Sequence, residues 1–106
     1  MLLTGDLLRG HTDMILLAIL AKGDSYGYEI NKQLEDVSNG TFVLTEATLY
    51  TSFKRLETKG YVASYWQEGT SGKKRKYYGI TQMGKDKLKT LERSWLEAKQ
   101  IIDSLI

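Results

Sequence analysis

Residues 68–81 read EGTSGKKRKYYGIT. Lys73, Lys74, Arg75 and Lys76 stand side by side, after glycines and before two tyrosines and a threonine. The flanks decide what the run is. YVASYWQ (61–67) has the β-branched and aromatic content of a strand, and KRKYYGI (74–80) has it again. Gly and Ser between two such runs predict a hairpin with the cations at its tip.

Outward from the hairpin, helices are expected on both sides. Upstream, TEATLYTSFKRLETKG (45–60) has an N-cap in Thr45, an acid at Glu46 and a closing Lys59-Gly60. Leu49, Phe53 and Leu56 mark its buried face, with Thr48, Thr51, Lys54, Arg55 and Thr58 opposite and Tyr50 at the border. Before it, TFVL (41–44) reads as a short strand, and YGYEINKQLEDVS (26–38) as a helix. That helix is capped by Asp24 or Ser25 and buries Ile30, Leu34 and Val37. A first helix is expected over 6–22, started by Asp6 and ended by Gly23, with MILLAILA apolar on almost every side. Downstream, Thr81 starts a last helix over 82–105.

Three helices followed by a hairpin form the plan of a winged helix-turn-helix. The expected fold is mainly α with a small β-hairpin wing. Residues 1–81 make the DNA-binding domain, and 82–106 make a C-terminal dimerisation helix packed in one unit with the first helix.

The charge distribution suits this plan. The 106 residues carry a net charge of +2, which is uninformative until it is mapped. Residues 45–80 hold seven Lys/Arg against three Asp/Glu, while residues 1–44 hold three against six. A duplex presents a negative charge about every 1.7 Å along its axis. Lys54, Arg55 and the wing cations Lys73, Lys74, Arg75 and Lys76 would supply affinity by releasing counterions. Strand alternation should send Lys74 and Lys76 one way and Lys73 and Arg75 the other. Thr48 and Thr51 can reach base edges or phosphates, Tyr26 and Tyr50 can donate hydroxyls, and Lys54 is the position expected to read a base. The same KKRK run also suits a solvated turn that keeps the chain soluble.

The last helix points to a second copy. Leu88, Leu91, Trp95, Ala98, Ile102 and Leu105 are spaced 3-4-3-4-3, an a/d seam that Leu96 and Ile101 widen. Two copies on a two-fold axis would set half-sites of a palindromic operator about 34 Å apart. Trp95 is bulky for such a seam. Leu7, Gly10, Met14 and Leu17 run along the first helix with Asp13 beside them. If the first and last helices meet across the axis, two Trp95 rings can sandwich a planar aromatic molecule. Leu7, Asp13, Met14 and Leu17 would line the gap, and Asp13 would favour a cation there. Lys99, one turn on, would oppose it. The alternative is that Trp95 simply fills the dimer core.

Several classes are excluded or disfavoured. There is no Cys and a single His, His11, so no thiolate or His-cluster metal site can form within one chain, and no Ser-His-Asp triad is expected. His11 reads as a surface or interface residue, and Glu35-Asp36 as a solvated helix face. No phosphate loop of the G-x-x-x-x-G-K type appears. No cofactor, metal or enzymatic activity is expected. No apolar run is long enough to span a bilayer, and MLLTGDLLRG lacks a positive leader, so a cytoplasmic protein is expected.

The stretches SYGYEINKQLE (25–35), TEATLYTSFKRLETKGYV (45–62) and SGKKRKYYGITQMG (71–84) resemble, in order and spacing, the signatures of the PadR family of bacterial transcriptional regulators. LLRGHTDMILLAIL, SYW and the tryptophan of ERSW are similar to those of multidrug-binding repressors in the family's short, single-C-terminal-helix branch. The resemblance implies a homodimeric repressor under small-molecule control. The chain departs from the family's usual pattern at Thr51 and Asp24, where proline is common, and at Gly79, where arginine is common. A winged-helix module that binds protein and not DNA stays open, as does a small-molecule carrier with vestigial wings. Exposed Lys54 and Arg55 speak against the former, because lysine is depleted at protein interfaces.

Overall fold

The computed structural model describes residue 8 and residues 10–106. Within them the order is α1 (Thr12–Ala21), α2 (Gly27–Ser38), α3 (Glu46–Thr58), β1 (Val62–Glu68), β2 (Lys74–Ile80) and α4 (Gln82–Leu105). Leu8 is helical, and a turn separates it from α1. Gly10 and His11 form that turn, and α1 starts at Thr12. The expected start at Asp6 lies outside the described residues.

The helix limits follow from local chemistry. Thr45 caps α3, its side chain accepting from the Thr48 N–H at 3.1 Å. Thr81 caps α4 in the same way, accepting from the Gly84 N–H at 3.0 Å, and donates onward to the Gly60 carbonyl at 2.6 Å. One side chain thus ties the start of α4 to the end of α3. Helix α2 has Tyr26 at its N-cap with no side-chain bond there, so neither Asp24 nor Ser25 caps it. It ends at Asn39, which adopts a left-handed conformation with φ 53°.

The core gathers Leu16, Leu17 and Leu20 of α1, Ile30 and Leu34 of α2, Leu49, Phe53 and Leu56 of α3, Val62, Tyr78 and Leu88. Tyr78 stacks on Phe53, ring centroids 3.9 Å apart and planes 7° from parallel. The hairpin is thereby bolted to α3. Strands β1 and β2 pair antiparallel, Val62 opposite Ile80 through Glu68 opposite Lys74. Ser25 adds a one-residue bridge to Tyr78, with N–H···O bonds of 3.1 and 2.8 Å.

Two further expectations fail. Val37 is 81% exposed. It occupies the last turn of α2, beyond the reach of α1 and α3, and the core there is closed instead by Phe42. Residues 41–44 form no strand. The alternation is present, with Phe42 and Leu44 buried and Thr41 and Val43 exposed, but no strand lies alongside. Side chains of α2 replace it. Asn31 accepts from the Leu44 N–H at 2.9 Å and donates to its carbonyl at 2.7 Å. Ser38 does the same for Phe42, at 3.0 and 3.2 Å. The backbone is extended and satisfied without a ladder.

Candidate nucleic-acid interface

Helix α3 buries one side and leaves Thr48, Thr51, Lys54 and Thr58 in solvent on the other. Thr51, Lys54, Arg55, Thr58 and Lys59 enclose a shallow depression of about 300 Å³. Three of these five residues are cations, which gives the outer face a positive centre. The Thr48 hydroxyl accepts from Thr45 at 2.9 Å, so its donor hydrogen points away from the cap. Tyr50 is 48% exposed on the flank nearer the wing.

The wing stands against the N-terminus of α2. Tyr77 stacks on Tyr65 across the hairpin, centroids 5.7 Å apart, and touches Tyr26 at 5.1 Å. Arg75 lies over the Tyr26 ring at 4.6 Å. Lys76, on the other face of the strand, lies 5.7 Å from the Tyr78 ring. Arg75 and Lys76 thus separate as alternation requires, yet Lys74, Arg75 and Lys76 all border one groove of about 480 Å³ between wing and α2. Tyr26, Tyr28, Tyr50 and Trp66 supply its aromatic walls. Lys73 and Lys74 are exposed. Tyr28 and Trp66, 74% and 65% exposed, were not singled out in the sequence. Only the cross-strand register, which sets Trp66 opposite Lys76, places the tryptophan at the groove.

At the base of the wing Tyr65 donates to Asp24 at 2.6 Å. That bond, with partial burial, raises the Tyr65 phenol above its ordinary 10.0. Asp24 also lies directly over Gly79: a Cβ there would meet its Oδ1 at 2.7 Å. Two of the three positions that depart from the resembled pattern are therefore neighbours in space.

On the far side of α3 a second cavity, about 560 Å³, opens between α1 and α4. Gly10, Asp13 and Met14 line one wall, and Leu91, Trp95 and Ala98 the other. His11 meets Trp95 edge-on, centroids 5.2 Å apart. Asp13 binds Arg55 of α3, Nη2 to Oδ1 at 2.5 Å. Nothing in the sequence links residues so far apart, and the pair joins a side chain assigned to DNA with one assigned to a ligand. Lys99 is held by Asp103 at 2.7 Å, which offsets its charge. Leu17, expected in this cavity, is fully buried in the domain core. Leu7 lies outside the described residues. Among the seam residues, Leu88 is buried in its own domain, Leu91 half-buried, and Trp95, Ala98, Ile102 and Leu105 exposed.

A helix-turn-helix whose outer face carries cations, braced by a basic two-stranded wing, defines a winged-helix DNA-binding regulator. The comparisons with known proteins agree. Residues 16–90 match the transcriptional regulator PadR-like family, and the chain belongs to it. A transcriptional regulator from Clostridium thermocellum superposes with a TM-score of 0.85 at 40% identity, covering 95% of this chain and 98% of that one. A PadR family transcription regulator from Clostridium difficile gives 0.77 at 39% identity, over 88% and 95% of the two chains. An uncharacterised protein of Lysinibacillus sphaericus is 45% identical over 92% of this chain and 90% of its own length. Members of the family are transcriptional regulators and not enzymes. Among the described residues no helix is long and apolar enough to cross a membrane.

Proposed function

We propose that the protein is a homodimeric repressor that binds a palindromic operator and is controlled by a planar aromatic molecule at the dimer interface. One observation carries this reading. Beyond Leu91, α4 leaves the domain with Trp95, Leu96, Ile101, Ile102 and Leu105 exposed beside the open cavity. An apolar stripe of this length is what a second helix covers. Pairing through α4 would close the cavity between copies and fix the spacing of two α3 helices. The cavity volume lies in the range of small-molecule sites, about 300–1,000 Å³, and Trp95 offers a face for stacking. In this reading residues 82–106 are the dimerisation element and residues 1–81 the reading head. Lys54 reads a base, Thr48 and Thr51 contact edges or phosphates, and Tyr26, Tyr50 and the four wing cations hold the backbone.

Sedimentation at micromolar concentration should give twice the chain mass. The promoter of the protein's own gene should be bound with an affinity that falls steeply with salt. A single-copy species removes the dimer reading. A dimer that ignores DNA at low salt favours the protein-interaction module. A planar dye should quench Trp95 fluorescence in the parent and bind more weakly to Trp95→Ala.

A further inference from the structure

Arg55 borders two sites at once. It lines the cavity between α1 and α4, where Asp13 holds it, and it also lines the cationic depression on the outer face of α3. The helix period explains this double membership. Arg55 follows Thr51 by four residues, an offset of about 40° around the axis, and so sits at the edge of the exposed face. In the structure its guanidinium points toward α1, onto Asp13, and a change of rotamer would carry it toward Lys54 and Lys59. The pair with Asp13 does not lock it. Both side chains retain solvent contact, at 41% and 33% exposure, and exposed pairs of this kind are weak and easily exchanged.

We propose that Arg55 is shared between the two sites: Asp13 holds it in the free protein, and a DNA phosphate takes it in the complex. The consequence reaches the cavity. Once Arg55 leaves, Asp13 is a bare carboxylate close to Trp95 and His11, and the cavity gains one unit of negative charge. A planar cation seated against Trp95 then finds a counterion that the free protein withholds. Linkage makes the effect reciprocal, so a cationic guest that takes over Asp13 favours the DNA-bound form, whereas a neutral planar guest has no such coupling. The sign of the response is therefore set by guest charge. The guest half of this inference rests on the cavity reading proposed above; the exchange of Arg55 between Asp13 and phosphate rests only on DNA binding.

Two sets of measurements on the full chain test it. In the first, anisotropy follows binding to a duplex of its own promoter across a salt series. Arg55→Gln should reduce the slope of log K against log salt by about 1.8 for the bound dimer, the loss of one phosphate contact in each protomer. Asp13→Asn should tighten binding about two- to fivefold per protomer with the slope unchanged, the worth of an exposed pair no longer competing in each copy. Placed in the Arg55→Gln background, Asp13→Asn should give no such gain. A gain of equal size in both backgrounds would mean general charge repulsion from Asp13, and would overturn the exchange. So would a parental slope in Arg55→Gln. In the second set no DNA is present, because Arg55→Gln exposes Asp13 as the complex would. It should bind proflavine, a planar cation, about two- to fivefold more tightly than the parent by Trp quenching. A neutral coumarin should bind both alike. Equal proflavine affinity in the two proteins overturns the guest half. Failure of either to bind proflavine removes the cavity reading itself and leaves the salt series to judge Arg55. Failure of the parent to bind DNA is the distinct signature that the regulator reading is wrong.

Discussion

The two halves of α4 share one sequence pattern and meet opposite fates. Over Gln82–Leu91 the helix is pressed onto its own domain. Gly84 is buried so tightly that an added Cβ would fall 2.1 Å from the Tyr61 carbonyl oxygen, and Leu88 is 8% exposed. Over Glu92–Leu105 its residues are exposed among the described residues, with His11 of the turn before α1 meeting Trp95 edge-on. Trp95, Leu96, Ile101, Ile102 and Leu105 range from 40% to 80% exposed. The apolar spacing runs through both halves without a break, so it records that a surface is to be buried and not which chain buries it. Gly84 is what separates them. Its missing side chain lets the helix start against the α3–β1 connection, Leu88 and Leu91 pack beside α1, and the turns beyond Trp95 project outward.

The sharpest way to break this contrast is Gly84→Ala. The new methyl collides with backbone, which has little room to yield, so a loss of about 3 kcal/mol is expected. It should show as a lower midpoint in urea denaturation. Leu88→Ala removes core packing from the same half and should cost about 2–3 kcal/mol by the same assay. A change in the outer half should behave differently. Ile102→Asp should weaken self-association at least tenfold, about 1.4 kcal/mol, in sedimentation, while the far-UV spectrum at high dilution matches the parent. If it unfolds the domain instead, the two halves are not independent. Lys99→Gln, which breaks the exposed pair with Asp103, should change stability by less than about 0.5 kcal/mol.

A further test sits on the hairpin. Burial, with the nearby Glu57 charge, raises the Tyr78 phenol above its ordinary 10.0. The unfolded chain then releases that proton at lower pH than the folded one. The contribution is intact below pH 10 and lost as pH rises through the higher folded value. Alkaline destabilisation should begin above about pH 10 and be milder in Tyr78→Phe.

Much of this architecture is legible in the sequence. Helices α2, α3 and α4 and both strands fall within a residue or so of their sequence limits, because Thr45, Thr81, Asn39 and Gly60 are strong local signals. The outer face of α3 was legible from period alone. What escaped is non-local. The extended run at 41–44 has strand composition, but its hydrogen bonds go to Asn31 and Ser38, and no pattern announces that a helix will stand in for a strand. Val37 obeys the helical period and is exposed because the core ends before it does. The Asp13–Arg55 pair and the placement of Trp66 and Tyr28 depend on how α1, α3 and the wing approach one another, which only the packed chain decides.

The wing base carries a last consequence. The Asp24 carboxylate occupies the volume above Gly79 while gripping the Tyr65 hydroxyl. A long residue at 79 would evict it, and the α1–α2 connection would lose one of its two holds on the hairpin, keeping only the Ser25–Tyr78 bridge. Positions 24 and 79 therefore behave as one unit of exchange. An engineer retargeting this wing would have to replace both together, and swapping either alone should tilt the blade away from the groove it is built to straddle.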